Sequence, residues 1–585
     1  MLNTKNDDMK DVLERVLMGL LLCVSCATAS AALEFTIPAP NGIGDVVALT
    51  NAIFQINQAN NSNTKLFLEQ GVYDLSGIKS MYGSGTTLNG AHLYFNTTCK
   101  NALIAGLGDN PENVILKGDG TLGVFHIWST DVNNPTIVSN LTITGGRRNS
   151  DGGGIYGSSN GGLILKNLIV TNNYATGFAG GVLRAKMYNC LIADNHSTGK
   201  NGGGYWSDSA GMVAYDCVFS NNTTVANGGG FYSSGDGSFL SDCKFYDNVA
   251  INGSGAVVYN GFVTNCVFKG NGPSGAANSN KIGGGLYLSN SECVDCDFIE
   301  NHADRGGGAY IYSNATVLRD CTFVGNIQKG WASGAAIYVN ASSPLALVSN
   351  CVFNANITRQ SSQTVISNAE LVDCVITNHH GINGYLLAGC NMTRCYVADN
   401  SAWGNGQNLD IGTAYNTTPV FRTNINCVVA YNKISDNMNA ITYDKTVLNC
   451  TYLSNEANSG ARIVRVGAAY NTLIVSNTIG GSRLDVAGTQ YLTNCVFSAS
   501  SIAVDSVGLS NCQLLPNFKF RPTEDGGEYD IKGVSSVFNA GVLEDWMVPV
   551  LGETDFAGRK RVKFDAIDIG ALECQIFPYT AIIFR

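Results

Sequence analysis

Charged residues and proline are scarce in this sequence. Charged residues make up 14% of the 585 residues, and proline occurs 11 times. Amphipathic helical proteins need far more Glu, Lys and Arg, so the composition disfavours a helix bundle. The net charge of −10 comes without any large basic cluster, which favours neither a nucleic-acid partner nor a polybasic lipid-binding stretch. Beyond the N-terminal segment no apolar run approaches the roughly 18 residues of a membrane helix, so we expect no transmembrane segment in the mature chain.

The polar share of the composition comes mainly from asparagine, serine and threonine, and glycine is abundant. Glycine alone occurs 68 times. This mixture is typical of many short strands joined by tight turns. A chain of this length would usually form several domains, but a repeat protein grows along one axis and can form a single domain of this length.

The N-terminal segment has the order of a secretory signal. A weakly basic stretch from Met9 precedes an apolar run over residues 16–24, and small residues end at Ala31. We predict export with cleavage after Ala31. The alternatives are a retained anchor and a lipoprotein attached at Cys26.

One short motif recurs about every 25 residues. It reads Asn or Asp, then Cys, any residue, Phe (Ile192 in the first copy), any two residues, and Asn. Cys and Phe are two apart and share one face of a strand, while the residue between them can be Lys244 or Asp297 and must face water. A strand this short buries its face only by stacking on its neighbours. The clearest copies are centred on Cys190, Cys217, Cys243, Cys266, Cys296, Cys321 and Cys351.

The motif therefore predicts an all-β fold, a single-stranded right-handed parallel β-helix with a short N-terminal capping helix and a C-terminal cap. In-register stacking at about 4.8 Å places Cys over Cys and Phe over Phe, and lets the turn asparagines hydrogen-bond along a ladder.

The cysteines fit this packing role better than a metal site or a disulfide network, because buried free Cys behaves as a small hydrophobe. Cleavage after Ala31 leaves 17 of the 19 cysteines, so at least one is a free thiol or bonds another chain. Outside the predicted signal peptide, which holds Cys23 and Cys26, Cys293 and Cys296 form the one C-x-x-C pair in the sequence, and no second pair there completes a tetrahedral zinc site. We predict no metal and no cofactor.

Glycine-rich triplets precede many of these strands. They open short apolar strands, and no helix or Lys-Ser/Thr pair follows that would complete a phosphate-binding loop. We interpret them as sharp turns that allow close approach between coils. The triplets begin at Gly152, Gly202, Gly228, Gly283 and Gly306, with looser forms at Ala179, Ser254 and Gly334.

Four segments follow from these patterns. Residues 1–31 are the signal peptide, 32–64 an N-terminal cap, 65–517 the β-helix, and 518–585 a C-terminal cap with a possible sorting tail. The N-terminal cap contains a helix over residues 45–57 with Asp45 as its N-cap.

An aromatic column is the best candidate for a binding site. The residue two places after each glycine turn occupies the same position in every coil, so stacking brings these side chains into one line. The residues just before them are more uniformly apolar and are expected to face inward. An outward column would form a flat platform of rings suited to the apolar faces of sugars. The aromatic members and predicted ligand-binding residues are Tyr156, Trp206, Tyr232, Tyr287, Tyr310 and Tyr338, with Leu183 and Val258 in the same line.

Catalytic residues are not evident, and we assign none. The histidine pair at His379 and His380 points to opposite faces of a strand and does not chelate together. Polar groups beside the turns are candidates for chemistry, although solvated charges are ordinary at such places; they are Asp304 with Arg305, Asp151 with Arg147 and Arg148, and Arg184 with Lys186.

The glycine-triplet and Phe-x-x-Asn motifs resemble the repeats of chlamydial polymorphic outer-membrane proteins, within the pectate-lyase-like β-helix superfamily. The closing Asp-Phe-Ala-Gly-Arg and Asp-Ile-Gly-Ala-Leu-Glu resemble the end of choice-of-anchor Q proteins. The resemblance covers about residues 40–575. It implies a β-helix that is secreted or held on the outer surface of a Gram-negative-type bacterium. The translocating barrel of the polymorphic proteins has no counterpart here.

Three hypotheses about function follow. The leading one is a non-catalytic, adhesin-like protein that binds a polysaccharide or another cell-surface ligand, and no nucleic acid. The alternative, implied by the superfamily, is a polysaccharide lyase or glycoside hydrolase acting on uronate-containing chains. The third is a purely structural envelope protein.

Overall fold

The computed structural model describes most of the chain from residue 32 to residue 514 and short pieces beyond. The ranges are 32–59, 63–78, 90–96, 101–129, 131–158, 161–274, 280–313, 315–330, 333–340, 345–359, 363–380, 384–402, 411–413, 423–434, 440–443, 446–458, 462–480, 491–497, 508–514, 521–522, 529–530, 541–543, 547, 551–554 and 567–570. The predicted signal peptide lies outside the described residues.

Short parallel strands stacked in register form the solenoid, because each coil returns the chain beside its own earlier turn. One face of the coil is a 13-stranded parallel sheet, called here the narrow sheet. Its strands are Ala91–Phe95, Gly123–Ile127, Ile155–Gly157, Val182–Leu183, Tyr205–Ser207, Phe231–Ser233, Ala256–Tyr259, Leu286–Ser289, Ala309–Ile311, Ile337–Val339, Gln363–Ser367, Gly384–Ala388 and Ile411–Thr413.

The opposite side is a 35-stranded sheet, called the wide sheet. Two strands of 9 residues, Thr136–Thr144 and Leu163–Thr171, cross its full width. Each contains one asparagine with positive φ, Asn140 at 56° and Asn167 at 50°. In later coils the equivalent residue, for example Asn189 at φ 50°, separates two shorter strands. Asn and Asp tolerate this left-handed conformation best, which explains the residue before each motif cysteine.

The strands of the wide sheet are Glu34–Ile37, Lys65–Leu68, Gly71–Asp74, Leu103–Gly106, Val114–Lys117, Thr136–Thr144, Leu163–Thr171, Lys186–Tyr188, Leu191–Ala193, Val213–Tyr215, Val218–Ser220, Phe239–Ser241, Lys244–Tyr246, Phe262–Thr264, Val267–Lys269, Glu292–Val294, Asp297–Ile299, Val317–Arg319, Thr322–Val324, Ala346–Ser349, Val352–Asn354, Ala369–Val372, Val375–Thr377, Asn391–Thr393, Tyr396–Ala398, Thr423–Ile425, Val428–Ala430, Thr446–Leu448, Thr451–Leu453, Ala468–Tyr470, Leu473–Val475, Tyr491–Thr493, Val496–Phe497, Gly508–Ser510 and Gln513–Leu514.

Two-residue strands lie between the wide and narrow sheets in three groups of consecutive coils. They are Arg147–Arg148, Tyr174–Ala175, His196–Ser197 and Thr223–Thr224, then His302–Ala303, Ile327–Gln328 and Ile357–Thr358, then Ser401–Ala402, Lys433–Ile434, Glu456–Ala457 and Thr478–Ile479. Two further pairs are Ala440–Tyr443 with Arg462–Arg465, and the antiparallel Arg521–Pro522 with Tyr529–Asp530.

The interior is a set of ladders, as the motif predicts. Phe245 stacks on Phe268 with ring centroids 4.6 Å apart and planes 5° from parallel, and Phe298 stacks on Phe323 at 4.5 Å and 4°. All fifteen cysteines among the described residues are free, and only Cys512 at the end of the ladder is partly exposed. The predicted packing role of the cysteines is confirmed for this part of the chain.

A buried asparagine ladder runs beside the phenylalanines. The Nδ2 of Asn222 donates to Oδ1 of Asn248 at 3.0 Å and to the carbonyl of Ile192 at 2.8 Å. Its own Oδ1 accepts the backbone N–H of Asn195 at 3.1 Å. Each amide thus joins consecutive coils with its polar atoms satisfied, which is what burial of a polar side chain requires.

The helix of the N-terminal region is Val46–Ala59, and Oδ1 of Asp45 accepts the N–H of Ala48 at 2.8 Å, so the predicted N-cap is confirmed. Two short 3-10 helices are Pro40–Gly42 and Pro111–Asn113. One rung precedes the predicted first strand: Glu34–Ile37 pairs in parallel with Lys65–Leu68. The helix separates these two strands in sequence, which hides their repeat.

Described residues of the C-terminal region lie along the side of the solenoid. Met547, Leu551 and Ile567 pack with Ile425 and Leu448 of the wide sheet. Capping of the end of the stack stays a prediction. No helix among the described residues has the length and apolarity to cross a bilayer.

Candidate functional site

The register of the narrow sheet places the predicted aromatic residues in one line, called here the aromatic column. It comprises Tyr94, His126, Tyr156, Leu183, Trp206, Tyr232, Val257, Tyr287, Tyr310 and Tyr338. All six predicted ligand-binding residues belong to it.

One position differs from the prediction. Tyr232 pairs with Val257, and Val258 faces the buried core instead. The glycine turn of this coil is Gly253-Ser254-Gly255, one residue earlier than the sequence pattern suggests. The alignment is shown by the N–H of Gly230, which donates to the carbonyls of Ser254 and Gly255.

The aromatic column lies on the outer side of the coil. The residues before its members, such as Ile155 and Phe231, belong to the main core, whereas the column residues form two separate clusters around Trp206 and around Tyr287 and Tyr310. Packing within these clusters leaves only 8% of Tyr287 and 4% of Tyr310 exposed.

The prediction of a flat platform of ring faces is wrong. Tyr287 and Tyr310 stack with centroids 5.3 Å apart and planes 16° from parallel, and Tyr310 stacks on Tyr338 at 5.5 Å and 15°. The spacing between rungs matches the stacking distance of aromatic rings, so the rings cover each other's faces. From Tyr287 to Tyr338 the column therefore presents ring edges and hydroxyls. At its N-terminal end the rings are not parallel, with an angle of 86° between Tyr94 and His126 and of 59° between His126 and Tyr156.

Aromatic side chains from outside the column fill its two aliphatic positions. Phe178 stacks on Trp206 at 4.2 Å beside Leu183, and Tyr259 lies 5.6 Å from Tyr287 beside Val257. Tyr312, which is 52% exposed, lies 6.1 Å from Tyr287.

Three of these outer aromatic residues are absent from the predicted set. Tyr259 and Tyr312 each follow a column position by two residues, as does the exposed Trp128 after His126. Side chains two apart on a strand share a face, so the period-2 rule could have found all three.

Three cations lie over rings in the N-terminal half of the column. The guanidinium carbon of Arg148 is 4.5 Å from the centroid of Tyr156, and that of Arg184 is 5.1 Å from Trp206. The Nζ of Lys200 is 4.5 Å from Phe178. These are distances of attractive cation–π contacts.

Arg184 is further held by a bidentate ion pair with Asp208, at 2.7 Å from Nε and 3.0 Å from Nη2. Its φ of 54° is unusual for arginine, which costs conformational energy that the surrounding contacts must offset. Partial burial acts to raise the pKa of Asp208, but the contact with Arg184 outweighs it and lowers the pKa below its ordinary value.

The other predicted polar groups are dispersed. Oδ1 of Asp151 accepts the N–H of Phe178 at 2.8 Å, so this carboxylate lies beside the column. The guanidinium carbon of Arg147 is 4.6 Å from the ring centroid of Tyr174. Both residues belong to the two-residue strands between the wide and narrow sheets, not to the narrow sheet itself. Lys186 belongs to a strand of the wide sheet, apart from Arg184.

At the C-terminal end of the column Arg305 lies over Tyr338 at 5.7 Å. Its neighbour Asp304 is almost fully buried and accepts the N–H of Lys281 at 3.1 Å. His379 is buried within the asparagine ladder, while His380 is exposed.

Burial raises the pKa of the column tyrosines. The pKa of Tyr232 and Tyr287 is raised above the ordinary value, and that of Tyr310 reaches about 12. Their hydroxyls therefore stay protonated at neutral pH and act as hydrogen-bond donors and acceptors. Among the described residues no group of three or more His, Cys, Asp or Glu side chains is arranged to hold a metal ion.

Comparison with known families adds to this picture at the level of the fold. Residues 122–301, which include the aromatic column from His126 to Tyr287, match the family model described as right handed beta helix region. The chain folds as a right-handed parallel β-helix. No curated protein sequence matches it.

Several solved structures align with this β-helix. The mannuronan C-5 epimerase AlgE6 A-module of Azotobacter vinelandii is 10% identical, with a TM-score of 0.24, over 80% of this chain and 94% of that chain. A tailspike protein mutant of E. coli bacteriophage HK620, in complex with a pentasaccharide, is 11% identical, with a TM-score of 0.28, over 80% of this chain and 74% of that chain. At these values the likeness concerns the fold alone.

Proposed function

We propose that the aromatic column binds a glycan chain and does not cleave it. The observation that carries the proposal is the column itself, a continuous outer ridge of aromatic residues with arginines stacked on rings at both ends. Aromatic side chains outside a core, combined with directed hydrogen-bond donors, are typical of surfaces that recognise sugars.

The ridge offers sugars two kinds of contact. Tyrosine hydroxyls and arginine N–H groups match the hydroxyls of a glycan, and ring edges supply apolar contact. Exposed rings beside the column, Trp128 and Tyr312, leave part of a face accessible for stacking on a sugar ring. Because the rungs repeat, a polymer with repeating units suits the surface better than a single small ligand.

The polar groups beside the column favour binding over catalysis. Asp208 is tied to Arg184, and Asp151 accepts a backbone N–H, so both carboxylates already have structural partners. The raised pKa of Tyr310 disfavours a tyrosinate base at neutral pH. Together with the export signal predicted over residues 1–31, these features support an adhesin-like protein of the bacterial surface or secretome.

Glycan-array binding tests the proposal. The triple variant Tyr156→Ala, Tyr232→Ala and Tyr338→Ala removes the half-buried rings and spares Tyr287 and Tyr310, whose truncation would leave voids. We expect a loss of about tenfold or more in affinity, because truncating a single aromatic hot spot of a recognition surface typically costs about 2 kcal/mol or more.

The matched control replaces three tyrosines of the wide sheet, Tyr188→Ala, Tyr215→Ala and Tyr246→Ala, which are similarly half-buried or exposed. It should keep full binding. Equal affinity of the column variant and the wild type would remove the column as the site.

A polysaccharide lyase or hydrolase is the second candidate. The observation that favours it is that two arginines and two carboxylates lie beside rings of one part of the column. Arg148 lies over Tyr156, Asp151 contacts Phe178, and Arg184 with Asp208 lies at Trp206. A degradation screen over uronate-containing polysaccharides tests it: chain cleavage that is abolished by Arg184→Gln and Asp208→Asn would establish catalysis at this place.

A further inference from the structure

A second group of cations lies at the turn that leads into the C-terminal half of the column. His302, Ile327 and Ile357 pair in register, as do Ala303 and Gln328. Two residues further along each strand the chain carries charges. The members are Lys281, Asp304, Arg305, Lys329 and Arg359.

Backbone contacts place these residues on four consecutive rungs. The N–H groups of Asp304 and Arg305 both donate to the carbonyl of Lys281, at 3.0 and 3.1 Å. The N–H of Lys329 donates to the carbonyl of Ala303 at 2.9 Å, and Arg359 follows Thr358, the partner of Gln328. With rungs about 4.8 Å apart, the side chains of Lys329 and Arg359 start from adjacent positions on one surface.

The charge of this cluster is opposite to that of the whole chain. Four cations and the single carboxylate of Asp304 give it a formal charge of +3, whereas the chain carries −10. At the equivalent positions of earlier coils stand the uncharged Thr176, Thr198 and Val225. The concentration of positive charge is therefore local to these rungs.

The electrostatics of neighbouring groups agree with this convergence. Burial, followed by the positive charges of Lys329 and Arg359, lowers the pKa of His302 to about 4. Burial and the nearby Arg359 also lower the pKa of Lys329. Cations that repel one another on consecutive rungs are stabilised when an anion lies among them.

The cluster adjoins the aromatic column. Arg305 stands over Tyr338 at 5.7 Å, and Ile282, next to Lys281, packs with Tyr287 and Tyr310. A polymer lying on the C-terminal half of the column therefore passes beside Arg305, one of the cations of the cluster.

We infer that Arg305, Lys329 and Arg359 form an anion-binding site that takes an acidic substituent of the glycan, a sulfate ester or a carboxylate. Lys281 is 8% exposed and its Nζ donates to the carbonyl of Ser274, so it adds positive charge to the site from a buried position. The inference rests on the proposed function and adds the substrate class to it. Arginine supplies paired N–H donors to oxyanions and lysine a compact charge, and the mixture accepts either anion.

Three dextrans with one backbone test the site: dextran, dextran sulfate and carboxymethyl dextran. We expect the two anionic polymers to bind more tightly than dextran at low salt, and the gain to shrink as salt screens it. The variant Lys329→Gln with Arg359→Gln should lose about tenfold or more of that gain, because both substitutions remove charge-assisted hydrogen bonds to the anion. The two anionic arms distinguish sulfate from carboxylate.

The matched control is Lys244→Gln with Lys269→Gln, which removes the same charge from exposed positions of the wide sheet. Equal losses in both double variants would overturn the site, because they would reflect net charge alone. Lys329→Arg keeps the charge and should keep binding.

The two proposals fail in different ways. Binding of anionic dextrans that needs Lys329 and Arg359, but is unaffected by the tyrosine triple variant, would contradict the column and leave the anion site standing. Binding that needs the tyrosines and is indifferent to charge would overturn the anion site alone.

Discussion

His379 occupies an asparagine position in the buried ladder, and its protonation should destabilise the solenoid. Its Nδ1 lies 2.9 Å from Oδ1 of Asn400, which is an acceptor, so Nδ1 carries the proton. Its Nε2 lies 3.2 Å from Nδ2 of Asn356, which is a donor, so Nε2 must present its lone pair. The ladder therefore accepts the neutral ring and has no acceptor for a second ring proton.

The sign and size of the effect follow from the pKa. Burial, and next the proximity of His380, bring the pKa of His379 to about 4 in the folded protein, against about 6.5 for an unfolded histidine. The unfolded chain binds the proton first, so the stability contribution of His379 is complete above pH 6.5 and is lost as the pH falls towards 4. Integration over this window gives about 3 kcal/mol, of which about 2 kcal/mol is lost by pH 5.

The variant His379→Asn tests this reasoning, because asparagine restores the amide of the other rungs and does not titrate. When the pH is lowered from 7.5 to 5, the free energy of unfolding of the wild type should fall by about 2 kcal/mol more than that of the variant. The difference between their urea midpoints measures this. The control is His380→Asn, since that ring is exposed. His302, whose pKa is also lowered, is present in all three proteins and cancels in the difference. Parallel pH dependences of the His379→Asn variant and the wild type would refute the argument.

Three further predictions concern the ladders and turns. Asn271→Ala leaves several buried hydrogen-bonding groups unsatisfied and should destabilise the protein by about 3 kcal/mol or more in urea unfolding, whereas Asn265→Gly, at an exposed position with φ 50°, should be near neutral. A hydrogen bond from Cys495 lowers the pKa of Cys512 to about 7, so thiol titration of the native protein at pH 8 should find a fast-reacting thiol that is lost in Cys512→Ser. Unchanged labelling in that variant would contradict the exposure of this thiol. Gly204→Ala would put a Cβ 2.6 Å from the carbonyl oxygen of Gly230, and its midpoint should fall by the equivalent of about 2 kcal/mol.

The fold was predictable because the sequence repeats the chemistry that each rung needs. Cys and Phe at alternate positions identify the buried face of the strand, and the following Asn supplies an amide that satisfies its neighbours on both sides. The same repetition made the register error at Val257 possible. Gly253, Ser254, Gly255 and Ala256 are all small, so composition alone does not distinguish two alignments that differ by one residue.

The site was only partly predictable, since its geometry depends on distances along the stacking axis. The sequence correctly brings Tyr287, Tyr310 and Tyr338 into one line, but whether rings present faces or edges depends on the rung spacing and on their neighbours. The cluster of Lys329 and Arg359 joins residues 30 apart in sequence. It becomes visible only when complete coils, rather than the Cys motif alone, are aligned.

Ring stacking also bears on how a ligand could be recognised. Because Tyr287 and Tyr310 cover each other's faces, the column itself has little apolar face to offer a sugar, and binding must draw on hydroxyls, ring edges and the flanking cations. Hydroxyl contacts are insensitive to salt, whereas contacts from Arg305, Lys329 and Arg359 weaken as ionic strength rises. The salt dependence of glycan binding therefore measures how the affinity divides between the column and the cations, and it should fall in the Lys329→Gln and Arg359→Gln variant while remaining unchanged in the tyrosine triple variant.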